Sequence, residues 1–155
     1  MKDQTCCFTG HRDIPKTNYG MIQICLERII SDLASQGVRY FKTGGALGFD
    51  TIAALIVLKF RKKFPHIRLI LVLPYKEQAE NWSDSDKKIY GEILENADKV
   101  VYTSKHYHNG CMHKRNRHLV DKSGACICYL VKDSGGTSYT VDYARKKGLK
   151  IINIA

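Results

Sequence analysis

The sequence predicts an α/β protein: a Rossmann-like, doubly wound, mainly parallel sheet of about six strands with helices on both faces. Three observations carry this expectation. Short β-rich apolar runs alternate with amphipathic helical segments along the whole chain. The run Ile67 to Leu73 is apolar apart from Arg68, as suits a strand buried on both faces of a parallel sheet. The unusual glycine-bearing turns all follow strands, which is the edge where open parallel sheets hold ligands.

The elements read in order as follows. Thr5 to Thr9 is a short strand closed by Gly10. A helix is expected from about Asn18 to Gln36, with Ile22, Cys25, Leu26, Ile29, Ile30 and Leu33 on one face and Gly37 as its stop. Val38 to Lys42 is a second strand that runs into Thr43-Gly44-Gly45, and a helix beginning near Asp50 reaches about Phe64 before Pro65. Ile67 to Leu73 is the third strand, bounded by Pro74. Lys76 to Asn96 is polar and helical, with a break near Trp82-Ser83-Asp84. Lys99 to Tyr102 is the fourth strand, a helix follows from about Met112 to Lys122, and Ala125 to Val131 is the fifth strand. A last helix from Thr137 to Lys147 leads to a sixth strand, Lys150 to Ile154. Strands alternating with helices in this way give right-handed crossovers onto one layer.

Composition narrows the function classes. A chain of 155 residues, 44% apolar, is about one domain long and buries a core without staples. No linker or repeat divides residues 1–155, so a single domain is expected. No apolar run reaches the roughly 20 residues that span a bilayer, and Met1-Lys2-Asp3-Gln4 lacks a signal-peptide layout. A cytoplasmic protein without a membrane role is the expectation. The six cysteines fit that compartment: Cys6 and Cys7 are adjacent in one strand, and Cys126 and Cys128 alternate in another. They read as small buried hydrophobes. Lys and Arg outnumber Asp and Glu by 25 to 15, a formal +10, which favours anionic partners. Basic residues such as Arg145-Lys146-Lys147 also complement helix C-termini, so charge alone selects no ligand.

The chemistry concentrates in the loops after strands. Gly44-Gly45-Ala46-Leu47-Gly48 and Gly135-Gly136-Thr137-Ser138 each open into a helix. There, bare backbone N–H groups and the helix dipole suit a phosphate. Each is equally readable as a tight strand-to-helix turn. Neither is followed by Gly-Lys-Ser/Thr, and no Gly-x-Gly-x-x-Gly follows the first strand, so Walker and ordinary dinucleotide sites are disfavoured. Gly10, His11 and Arg12 after the first strand, with Arg115 and Arg117 later, are further phosphate candidates. Asp50 either caps its helix or accepts a hydrogen bond from a ribose hydroxyl. Tyr75 and Trp82 either pack or stack on a base. His106, His108, Cys111 and His113 are zinc-type residues, but their spacing matches no closed site, and no metal or cofactor is expected.

These residues together resemble a known family. Thr9-Gly10-His11-Arg12, Gly44 to Asp50, Pro74-Tyr75 with Gln78 and Trp82, Arg115-Asn116-Arg117 with Val120-Asp121, and Gly135-Gly136-Thr137 are similar, in order, to the YpsA/YoqJ-type branch of the SLOG superfamily. Related branches are the "lonely guy" nucleoside-monophosphate phosphoribohydrolases and the DNA-processing protein A group. The resemblance implies a Rossmann-like fold and a nucleotide or nucleotide-derived ligand, ADP-ribose-like in some branches. The catalytic branch uses an arginine in Met-His-x-Arg, matched by Met112-His113-Lys114-Arg115. It also uses a glutamate after a Gly-Gly loop; here Asp142 falls at that position, one methylene shorter, and Ser134, Ser138 and Tyr139 replace other motif residues.

Three functions follow as expectations. The first is a nucleotide-binding protein, a sensor or signalling component, holding phosphate on Gly44, Gly45, Gly48, Gly135, Gly136 and Thr137. Arg12 and Arg115 supply charge and Asp50 meets a sugar hydroxyl. The second is a nucleoside 5'-monophosphate phosphoribohydrolase with Arg115 and Asp142 as catalytic residues. The third is a single-stranded DNA binder, motivated by the +10 charge. A homodimer is the oligomeric state the resemblance suggests.

Overall fold

The computed structural model describes residues 2–155. Met1, part of the N-terminal reading above, lies outside the described residues. Six strands are all parallel: β1 (Thr5–Gly10), β2 (Tyr40–Thr43), β3 (Arg68–Leu73), β4 (Lys99–Tyr102), β5 (Ala125–Tyr129) and β6 (Lys150–Asn153). They are ordered β4-β3-β2-β1-β5-β6. The helices are α1 (Tyr19–Ser35), α2 (Phe49–Phe60), α3 (Asp84–Asn96), α4 (Cys111–Asp121) and α5 (Gly136–Lys146). This is the doubly wound, Rossmann-like architecture expected from the sequence.

The alternation of side chains along each strand divides the core in two. Phe8, Phe41, Leu69 and Leu71 face α1, α2 and α3, against Leu26, Ile30, Ala53, Val57 and Ile93. Cys7, Val72, Cys126 and Cys128 face the other way, against Leu119 and Val120 of α4 and Val141 and Ala144 of α5. The six cysteines are free thiols, and all but Cys25 are buried. Among the described residues, no helix is long and apolar enough to cross a membrane.

Winding reverses between β1 and β5: the chain builds outward from β1 to β4, then returns to place β5 on the far side of β1. The loops leaving these two strands therefore diverge onto opposite faces and open a crevice at their carboxyl ends. Aromatic packing fixes its floor. Phe8 lies against Phe41 and Phe49, with ring centroids 6.1 and 6.3 Å away, and Phe49 stacks on Tyr129 at 6.2 Å.

Element ends shift by a residue or two in several places, β2 running Tyr40–Thr43 rather than Val38 to Lys42, and three departures have a local reason. Helix α2 stops at Phe60 rather than near Phe64, and residues 61–63 unwind as a turn ahead of Pro65, which disfavours helical backbone in its predecessor. In the stretch 76–96 only α3 is helical. Ser83 caps it by accepting from the Asp86 N–H at 3.2 Å, and Asp84 and Asp86 complement the dipole. Strand β5 ends at Tyr129 rather than Val131, because the Val131 and Lys132 N–H groups turn away from the ladder and donate to His11 Nε2 at 3.0 and 3.3 Å.

Phe49 is fully buried and joins both crevice strands through Phe8 and Tyr129. Phe49→Ala is expected to cost about 3–5 kcal/mol in urea unfolding; a loss under about 1 kcal/mol would show that this cluster does not hold the crevice.

Candidate functional site

The crevice holds a cavity of ≈ 350 Å³, within the range of small-ligand sites. Its walls come from four segments: the end of β1 and the His11-Arg12 that follow it, Ala46 and Asp50 after β2, one face of α4, and Lys132 with Ser134 to Thr137 before and into α5. Thus four loops or helix ends far apart in sequence meet at the switch point.

The deepest polar groups are Asp50 and Arg115, 6% and 5% exposed. Arg115 stands on α4 and crosses the crevice: its Nη1 donates to the Gly44 carbonyl, and its Nε to Asn116 Oδ1 at 2.8 Å. Its remaining nitrogen, Nη2, meets only the soft Met112 sulfur at 3.9 Å. Asp50 belongs to the first turn of α2, yet it does not cap the helix. The cap position is Gly48, with no side-chain cap bond, and Asp50 Oδ2 instead accepts from the Ala46 N–H at 3.2 Å. Its other oxygen, Oδ1, is buried without a hydrogen-bond partner.

Gly44 explains why these two groups can share one pocket. A Cβ there would come within 2.6 Å of Arg115 Nη1 and 3.0 Å of Asp50 Oδ2, so a side chain would push the guanidinium out of its present seat. Gly48 has a different task. Its φ of +76° is left-handed, and a Cβ would overlap the Arg12 carbonyl, so the loop closes against the strand β1 exit only as glycine.

Electrostatics follows from burial. Desolvation pushes the Asp50 carboxyl up to about 6, even though Arg115, the Ala46 N–H and Arg12 all favour its charged form. Burial lowers Arg115 from its ordinary value, with Asp50 opposing that shift. His11 is also lowered, by burial and by Lys132. That suits its geometry, since Nε2 accepts two backbone N–H groups and must carry no proton. His11 is therefore a latch for the β5–α5 loop as well as a wall of the cavity.

The opposite wall is the N-terminus of α5. Gly135 occupies the cap position and no side chain caps it, which leaves backbone N–H groups of the first turn facing the cavity at Gly136 and Thr137. Arg12 and Lys132 stand exposed at the mouth. An uncapped helix end between two cations is a ready anion site.

Of the residues singled out from sequence, the structure brings together Gly10, His11, Arg12, Asp50, Arg115, Gly135, Gly136 and Thr137. Ser138 is buried one residue further along α5. Gly44, Gly45 and Gly48 do not line the cavity; they shape the loop behind it, and Gly45 gives its carbonyl to Gln78 Nε2 at 3.4 Å. Tyr75 packs edge-on to Tyr107 at 5.6 Å and Trp82 to Tyr90 at 5.1 Å, both outside the cavity. Asp142 is exposed and paired with Arg145 at 3.4 Å, also outside it. Arg117 points to the Tyr139 hydroxyl at 3.0 Å. His108 bonds Ser104 Oγ at 2.8 Å and His113 lies against Tyr139, and no metal-holding group of three such side chains occurs among the described residues.

Residues given no site role from sequence include Met112, Asn116 and Leu119 on α4, and Lys132 and Ser134 beside the second glycine loop. The spacing 112, 115/116, 119 is one helical face, and extending it from Arg115 would have found all three.

Comparison with known proteins gives the family. The family model described as the YspA SLOG family (YpsA) matches residues 7–152. A UPF0398 protein of Halalkalibacterium halodurans is 35% identical over 129 residues, covering 81% of this chain and 68% of that protein. The SPbeta prophage-derived protein YoqJ of Bacillus subtilis is 32% identical over 131 residues, 76% of this chain and 77% of the relative. Among solved structures, DNA processing protein A from Streptococcus pneumoniae superposes with a TM-score of 0.67 at 15% identity, covering 95% of this chain. This chain spans about half of that protein, 48%. DNA processing protein A from Helicobacter pylori, described as binding single-stranded DNA, gives 0.67 at 19% identity over 97% of this chain and 64% of its own. At such identities these likenesses concern the fold. The extent of the family match and the sequence relatives establish that the chain belongs to the YpsA-type SLOG family.

Proposed function

We propose that this protein binds a nucleotide or nucleotide-derived ligand, ADP-ribose-like or a nucleoside monophosphate, in the cavity between β1 and β5. One observation carries the reading: Asp50 Oδ1 is buried without a partner beside Arg115, within the same cavity as the uncapped N-terminus of α5. A phosphate accepts from the Gly136 and Thr137 N–H groups and takes charge from Arg12 and Lys132. A ribose hydroxyl donates to Asp50 Oδ1, and Arg115 Nη2 donates to a ligand oxygen it now lacks. The family relationship and the nucleic-acid-binding structural neighbour support a ligand of nucleotide chemistry.

A second reading is single-stranded DNA. It is favoured by Arg12 and Lys132 at the mouth, the net charge of +10, and the DNA-binding Helicobacter neighbour. Strand binding depends on phosphate neutralisation and weakens steeply with salt. The phosphoribohydrolase reading gains less, because Asp142 is paired with Arg145 at the surface; hydrolysis in this cavity would have to use Asp50.

A thermal-shift panel of nucleoside monophosphates, ADP-ribose, NAD and a single-stranded oligonucleotide tests the reading. A cognate ligand at a hundredfold excess over its Kd should add about 2.7 kcal/mol of apparent stability. Arg115→Gln should remove most of that gain. A panel without response, or a response unchanged in Arg115→Gln, contradicts the assignment.

Asp50 gives a separate test without ligand. Its carboxyl titrates near 6 in the fold against about 3.9 in an unfolded chain. The folded state therefore binds the proton more tightly, and stability falls as pH rises from about 4 to 6, then stays lowered. The penalty amounts to ~3 kcal/mol. Asp50→Asn should thus be more stable than the parent in urea at pH 7, by about 1–3 kcal/mol, and lose that advantage near pH 4. A variant less stable at pH 7 would mean the carboxylate serves the fold rather than a ligand.

A further inference from the structure

The two faces of the sheet are covered unequally. Helices α1, α2 and α3 pack over one face, while the other carries only α4 and α5. On that second face α4 reaches across to β3, and the outward side chains of β2, β3 and β4 beyond it form the floor of an open groove of ≈ 490 Å³. Ile70, Val72 and Val101 make the floor apolar, and Tyr40 extends it as a flat ring beneath the Arg39 guanidinium, 5.8 Å from its centroid.

The polar residues of this groove are mainly cationic. Lys42 on β2 is 6% exposed, and no hydrogen bond or ion pair joins its side chain to another described residue. Burial disfavours its ammonium, while Cys7 and Asp121 favour the charged form. His118 on α4 lines the same groove, and its Nδ1 is buried without a partner. Lys99 and Lys122 complete the lining, and no carboxylate takes part in it. Asp121, which favours the charged form of Lys42, accepts from the Tyr143 hydroxyl. Lys42 and the unpartnered His118 Nδ1, from different elements, thus line one groove whose floor suits a flat hydrocarbon body.

We propose that this groove is a second ligand site, for a small organic anion that carries one phosphate or carboxylate on a planar apolar body. The anionic head sits between Lys42 and His118 Nδ1, with Lys99 and Lys122 at the rim. The body lies on Ile70, Val72 and Val101 beside Tyr40. The depth of Lys42 favours a compact head over an extended polyanion, whose phosphates would reach the rim lysines but not the floor. Electrostatic crowding agrees: Lys42 and His118 are each lowered by burial first, and Lys122 lowers both further, so an anion seated between them relieves both. The site lies across the sheet from Asp50 and stands independently of the nucleotide reading.

Phenyl phosphate is a suitable probe, with inorganic phosphate and phenol as its two halves. In amide and methyl NMR spectra of the full chain, phenyl phosphate should shift signals of Val72, Val101 and His118. It should bind about tenfold more tightly than either half. Lys42→Met should weaken it about tenfold or more, while leaving any response of Gly136 and Thr137 to a nucleoside monophosphate unchanged. His118→Phe serves as a second variant on another element and should weaken the probe as well. Shifts confined to the Gly135–Thr137 loop overturn the proposal. Equal binding by phenol and phenyl phosphate, or full affinity in both variants, overturns it too.

Discussion

Asp50 and Arg115 occupy one buried space beside Gly44 while each keeps an atom without a strong partner. A buried carboxylate and guanidinium usually close on each other in a bidentate pair, which satisfies both. Here Arg115 spends Nη1 on the Gly44 carbonyl and Nε on Asn116, and no ion pair forms within 4.0 Å. Arg115 favours the carboxylate only from a distance, and burial outweighs it, so the carboxyl still titrates near 6. Such a centre is poor for stability and well suited to a ligand that supplies one donor and one acceptor.

The rest of the fold serves that centre. Reversal of winding beside β1 opens the crevice, and the Phe8–Phe49–Tyr129 cluster gives it a rigid floor. The glycines of the first loop have no direct place on the cavity wall, where only its Ala46 stands. The loop's role is to be small enough at Gly44, and left-handed at Gly48, for α2 to present Asp50 at the right depth. The second glycine loop does line the wall, and His11 holds its approach by accepting from Val131 and Lys132. The two loops look alike in sequence and do different work.

Much of this was legible from residues. Strand and helix order, the parallel sheet and the convergence of loops on one edge follow from periodicity and from the rule that such sheets bind at their carboxyl ends. What was not legible depended on third partners. Whether Asp50 caps α2 or faces a ligand turns on the Ala46 N–H, which takes the oxygen a cap would use. Asp142 matches a family position, yet one turn of α5 carries it to Arg145 and the surface. Trp82 is half-buried against Tyr90 because the chain before α3 folds back onto the core, which no local pattern encodes. The uncovered half of the sheet is likewise a matter of how many helices fall on each side, and alternation along β2, β3 and β4 becomes informative only once strand order is known.

The most direct test of the central claim is a proton count. ADP-ribose has no phosphate that titrates near pH 6, so calorimetric titration in buffers of differing ionisation enthalpy isolates protons moved on the protein. If a ribose hydroxyl donates to Asp50, binding stabilises the carboxylate. At pH 6, about half a proton should then be released per ligand, falling toward none at pH 8 and absent in Asp50→Asn. Binding without proton release at pH 6, or release that persists in Asp50→Asn, would contradict the account of Asp50 as the group that reads the ligand.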